Sequence, residues 1–158
     1  MNKAKITRAG KITNAAIILL GREESEHFLS PAVCVIRWKL IAKEDKNKDF
    51  HNFHVPMIKS VEEITTGYIR NNNYVYTVSG NIFPENMMRY DVFTLREPIC
   101  NAIGHQDYGM GARIELLEYE DEKLVIQNYG QFIPNSVEDV VEKIVPIQGI
   151  VILLDGSY

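Results

Sequence analysis

The stretch TLREPICNAIGHQDYGMGARIELLEYEDEKLVIQNYG, Thr94 to Gly130, decides how this chain is read. Leu95 to His105 has the length and spacing of a helix, with Ile99, Cys100 and Ile103 on a face that can bury. Tyr108-Gly109-Met110-Gly111 is a flexible connection into a strand. Arg113 to Tyr119 and Lys123 to Asn128 read as the two strands of a hairpin turning at Glu120-Asp121-Glu122. The second strand runs into a glycine turn, Asn128-Tyr129-Gly130.

Working outward, Ile17 to Leu20 reads as a short buried strand ended by Gly21. Glu23 to Pro31 is a loop or short helix, and Ala32 to Ile41 is β-rich. Lys43 to Lys48 is a solvated loop. Pro56 to Arg70 is a helix with Ile58, Val61, Ile64, Thr65 and Ile69 near one face, closed by Asn71-Asn72-Asn73. Tyr74 to Val78 alternates like a strand, and Asn81 to Asp91 is irregular. Ser136 to Lys143 is a third helix with Ser136 as its N-cap. Ile150 to Leu154 is a last apolar run. Strands with helices between them predict an α/β chain of the α+β two-layer sandwich type.

The 158 residues suit one domain, and 46% hydrophobic content is enough for a core. A net charge of −4 argues against a chain that coats nucleic acid by itself. Two cysteines, Cys34 and Cys100, make neither a disulfide framework nor a zinc ribbon. No apolar run approaches the roughly 20 residues that span a bilayer. Lys3, Lys5, Arg8 and Lys11 precede the run Ala15 to Leu20, but no small-residue cleavage site follows. A leader peptide is therefore not indicated, and a cytoplasmic location is expected.

The chemistry lies on the helix. Glu97, Asn101 and His105 are each four residues apart and share one stripe. A carboxylate, an amide and an imidazole so aligned can serve a Mg²⁺–phosphate site, the carboxylate orienting water and the amide oxygen taking a hard cation. A structural reading competes. Thr94-Leu95-Arg96-Glu97 has the form of a capping box, with Thr94 as N-cap, Glu97 at N3 and Pro98 at N4. His105 also suits a helix C-terminus, where the dipole favours it.

These residues resemble a family. The run from Arg96 to Pro134 is similar to bacterial and archaeal transcriptional-regulator-type proteins that carry a Schlafen/AlbA-type DNA-binding domain. In them a RecG-helicase C-terminal-like, or GHKL ATPase-like, domain follows, and often a winged helix. Their helix reads LREAxxNAxxHRDY, followed by a hairpin and an IxNPGGxP turn. The matching positions are Leu95, Arg96, Glu97, Asn101, Ala102, His105, Asp107 and Tyr108, then Ile126, Asn128, Gly130 and Pro134. Gly10 to Gly21 is similar to the family's lead-in segment.

The resemblance implies a Bergerat/GHKL-like mixed sheet packed by helices, with ATP and Mg²⁺ as cofactors. It implies Glu97 as the catalytic carboxylate and Asn101 as the metal ligand. Asn101, His105, Asp107, Asn128 and Gly130 would be the nucleotide-binding set. It divides the chain into a lead-in at 1–22, the ATPase-like domain at 23–143 and a diverging tail at 144–158. A truncation or frame change near residue 144 is the expectation for that tail. DNA would be reached through domains outside this chain, and a homo-oligomer with no membrane contact is expected.

The chain also departs from the family pattern. Asn128 stands where GHKL enzymes have an aspartate, Phe132 replaces a glycine, and Gln106 replaces the arginine of His-Arg-Asp. These departures suit a degenerate ATPase or a non-catalytic scaffold that links DNA-binding domains and mediates oligomerisation. No helicase motif and no phosphate-binding Gly-x4-Gly-Lys-Ser/Thr loop is present. Elsewhere, His51 and His54 lie three apart in a loop or strand without an evident third metal ligand. Trp38 reads as a core strand residue.

Overall fold

The computed structural model describes residues 6–42, 46–70, 75–76, 85–86, 90–120, 123–130 and 151–155. The expected closure at Asn71-Asn72-Asn73, the family positions Phe132 and Pro134, and the helix at Ser136 to Lys143 lie outside the described residues.

The chain opens with a tiny hairpin, β1 (Thr7–Arg8) against β2 (Lys11–Ile12). Ala9 and Gly10 both hold positive φ, 50° and 77°, as a two-residue turn between right-twisted strands requires. Thr13 then caps α1 (Asn14–Leu20), its side chain accepting from the Ala16 amide. The expected buried strand at Ile17 to Leu20 is thus a helix. Four apolar residues in a row do not distinguish the two, and the Thr13 cap decides. Of the run, Ile18 is buried, while Leu19 and Leu20 are 37% and 56% exposed. A 3₁₀ segment follows at Glu23–Leu29.

The main sheet has five strands in the order β4-β3-β7-β8-β9. These are β3 (Ile36–Ile41), β4 (Asn47–Phe53), β7 (Ile114–Tyr119), β8 (Lys123–Gln127) and β9 (Val151–Asp155). A separate two-stranded pair, β5 (Val75–Tyr76) with β6 (Glu85–Asn86), lies between them in sequence. β3 and β7 run parallel and every other neighbour in the large sheet is antiparallel, so the sheet is mixed. The β7–β8 hairpin forms where the alternation placed it. β9 extends the same sheet along β8, so residues 151–155 belong to it.

Between β4 and β7 the chain makes α2 (Met57–Glu63), prolonged by a π-turn at Ile64–Tyr68, and α3 (Val92–His105). Ile36, Trp38 and Leu40 of β3, Ile114 and Leu116 of β7, and Leu124 and Ile126 of β8 pack with these helices in one core. Met57, Val61 and Ile64 come from α2 and its π-turn, and Leu95, Ile99 and Ala102 from α3. The architecture is a two-layer α+β sandwich. The opposite sheet face mixes charged and apolar residues: Lys39 bridges to Glu115 at 3.1 Å, and Leu117 pairs with the buried Val125 between β7 and β8. Among the described residues no helix is long and apolar enough to cross a membrane.

Candidate functional site at the end of α3

α3 starts a turn earlier than the capping-box reading requires. Asp91, not Thr94, is the N-cap, and its Oδ1 accepts from the Phe93 and Thr94 amides at 2.9 and 3.1 Å. Aspartate fills this position at least as well as threonine, so the helix nucleates at the first cap the chain offers. Glu97 therefore sits in the second turn, away from the helix end, and has no capping role. Pro98 lies in the helix interior, where its missing N–H leaves the Thr94 carbonyl without its usual partner.

Glu97, Asn101 and His105 form the expected stripe, and all three are exposed. No side-chain hydrogen bond or ion pair joins any of them to a described residue. At 1.5 Å rise per residue, Asn101 stands about 6 Å and Glu97 about 12 Å up the axis from His105.

The lower end of the stripe meets the Asn128–Gly130 turn. The Asp107 amide donates to the Tyr129 carbonyl, and the Tyr129 amide donates to Gln106 Oε1 at 2.7 Å. Gly130 lies so close to α3 that a Cβ there would stand 2.0 Å from the His105 carbonyl oxygen. The turn thus has glycine because the helix end occupies the space. His105, Asp107, Asn128 and Gly130, separated by up to 25 residues of sequence, come together here. The Asp107 carboxylate accepts from the Gly109 amide at 2.9 Å and so shapes the next loop.

Asn128 continues the buried row of β8 that contains Leu124 and Ile126, and it is only 2% exposed. Its Nδ2 is buried without a hydrogen-bond partner. A buried N–H left unmade costs about 1–3 kcal/mol. In the loop after α3, Tyr108 donates from its hydroxyl to the Ile103 carbonyl at 2.9 Å. Burial, and then the nearby Cys34, raise the Tyr108 phenol well above its ordinary range.

Two polar residues that organise the core escaped the sequence reading. Gln106 is buried, and its Nε2 also donates to the Ala112 carbonyl at 3.0 Å. Glu118 is buried in β7, accepting from Trp38 Nε1 at 2.8 Å and from the Arg70 amide at 3.0 Å. A usable signal existed for Glu118, because it shares the strand face of Ile114 and Leu116. Gln106 had none, since its partners lie across the layers.

The two histidines of β4 and its exit part company. His51 packs its ring 4.8 Å from Phe53 and 4.7 Å from Tyr68, while His54 Nδ1 lies 3.0 Å from Glu26 Oε2. Both border a polar cleft of about 480 Å³ with Arg22 and Lys59. No group of three or more His, Cys, Asp or Glu side chains suited to a metal occurs among the described residues.

No family model matches the chain, and no curated protein matches it. In fold it is similar to the crystal structure of the DIP2311 protein from Corynebacterium diphtheriae, with a TM-score of 0.59 and 14% identity over 80% of this chain. The chain spans 24% of the length of that protein's chain, and the likeness is one of fold.

Proposed function

We propose that the chain is a nucleotide-binding domain of the Bergerat/GHKL-like kind, the RecG C-terminal-like part of a transcriptional regulator, with Mg-ATP as its ligand class. The observation that carries this reading is the orphaned Nδ2 of Asn128, buried beside a helix that offers a free carboxylate and a free amide. A ligand acceptor reaching Nδ2 would recover the cost of leaving it unpaired.

The donor set suits a hard cation. Asn101 Oδ1 would hold Mg²⁺, which takes oxygen ligands and few of them from protein. The ion would supply neutralisation of phosphate charge. Glu97, free of any capping duty, would orient or deprotonate water. His105, Asp107 and Gly130 would border the base end with Asn128. As an amide, Asn128 both donates and accepts, without the charge assistance of a carboxylate. DNA would be contacted by other domains of the regulator, in the cytoplasm.

A second reading, the non-catalytic scaffold, has its own support. The His105 carbonyl fills the space beside Gly130 that a ligand would otherwise use. Exposed apolar side chains also collect on α1 and α2.

Calorimetric titration with a non-hydrolysable ATP analogue and Mg²⁺ separates the two. Binding tighter than about 100 μM, roughly −5.5 kcal/mol, that Asn101→Ala and Asn128→Ala both lose is the expected result. Glu97→Gln should keep that binding and lose hydrolysis. Silence at millimolar ligand overturns the nucleotide reading and leaves the scaffold.

A further inference from the structure

α3 carries a second stripe in contact with solvent, roughly 120° around the helix from the Glu97–Asn101–His105 stripe. Arg96 and Cys100 lie on it, one turn apart. It borders a groove of about 390 Å³ between α1, α2 and α3, whose walls include Leu19, Ile58, Val61, Glu62, Arg96 and Ile103.

The groove is bordered by large apolar side chains left in water. Leu19 and Ile58 in its wall are 37% and 56% exposed, and Phe93, beneath the Arg96 guanidinium at 6.0 Å from the ring centre, is 77% exposed. Single exposed apolar residues are ordinary, but several on three adjoining helices mark a contact surface. Among the described residues the groove wall carries just two charges, and they are opposite in sign: Glu62 on α2 and Arg96 on α3. Neither forms an ion pair with a described residue.

That distribution is self-complementary. On a two-fold axis a patch meets a copy of itself, so each feature must find its complement within the same patch. α2 presents Ile58 with an acid one turn on, and α3 presents Phe93 with a base one turn on. Laying α2 of one copy on α3 of another would set Glu62 against Arg96 of the second copy, and the two-fold would repeat the pair. The apolar residues would then cover one another beside the two ion pairs, in keeping with an apolar centre and a polar rim.

We propose that this face is a two-fold interface between two copies of the chain, with α2 of each copy packed on α3 of the other. It gives the oligomerisation reading a surface and a partner. It is independent of the nucleotide reading, which uses another flank of α3.

Sedimentation velocity of the whole chain over about 1–200 μM tests the interface, a range that resolves dissociation constants in the micromolar region. The chain should dimerise, and Ile58→Glu should make it monomeric. Arg96→Glu and Glu62→Arg should each weaken the dimer by about tenfold or more, the scale of a lost charge pair with like charges opposed. The double variant Glu62→Arg/Arg96→Glu should restore it to within a few-fold, because both pairs are reversed together. Thermal unfolding of each variant shows that the fold is retained. A chain that stays monomeric throughout overturns the proposal and gives the face to another segment of a longer polypeptide. A dimer indifferent to Ile58→Glu, or one weakened by the single charge variants and not restored by the double, overturns it as well. Titration of Arg96→Glu with the ATP analogue should match the parent, so failure of the dimer and failure of the nucleotide site are read separately.

Discussion

The backbone amide of Tyr129 donates to Gln106 Oε1 at 2.7 Å, so the residue just past α3 holds the turn that ends β8. The other end of the same side chain donates to the Ala112 carbonyl, on the approach to β7. Only a side chain with a donor and an acceptor at fixed separation can tie these three segments. Gln106→Leu leaves a backbone amide and a carbonyl unpaired and should destabilise by about 2 kcal/mol or more. Gln106→Arg keeps donors but offers Tyr129 no acceptor, and should fall short of the parent by a similar amount. Urea midpoints at unchanged slope measure both.

Two glycines make an opposed pair. Gly130→Ala drives a methyl onto the His105 carbonyl, a backbone atom that cannot swing away, and should cost about 2–3 kcal/mol. Gly104→Ala meets open space within α3 and should stabilise by about 0.4–1 kcal/mol through the unfolded chain. Thermal unfolding of the two variants should move in opposite directions.

The start of α3 can be tested by its cap. Asp91→Ala should cost about 0.5–2 kcal/mol, while Thr94→Ala, with Thr94 inside the helix, should change little. The reverse order would return the N-cap to Thr94.

Burial, reinforced by the charge of Glu26, raises the Cys34 thiol from 9.0 to about 11. The folded state therefore holds this proton more tightly than the unfolded chain. Its contribution to stability is complete below pH 9.0 and is lost as pH rises through about 11. The half-buried Tyr108 phenol, also raised, adds loss of the same sign at still higher pH. Denaturation midpoints should fall across this interval, and Cys34→Ala should flatten the fall between pH 9.0 and about 11.

Some of this was legible from residue order. Ile114 and Leu116 alternate with polar neighbours, and Glu120-Asp121-Glu122 is too highly charged to bury, so the β7–β8 hairpin is written locally. The spacing of Ile99 and Ile103 likewise marks α3, although Cys100, expected on the same buried face, is exposed, and the N-cap moved to Asp91. The stripe of Glu97, Asn101 and His105 follows from four-residue spacing alone. At Ile17 to Leu20 the same kind of reading failed. Four apolar residues satisfy either period, and the choice fell to a single Thr13 hydroxyl.

Backbone geometry repeats within a few residues, so helices, strands and the side chains they align are encoded by near neighbours in this chain. Distant pairings are not, because they depend on which strands become neighbours and on how the helix layer settles on the sheet. Gln106 meets Tyr129 across 23 residues, and Trp38 meets Glu118 across 80. The burial of Asn128 with an unpaired amide, the closure of Gly130 on His105 and the facing of Glu62 and Arg96 across one groove arise only from that stacking. No periodicity reports them, since each is a contact between elements whose own patterns are already satisfied.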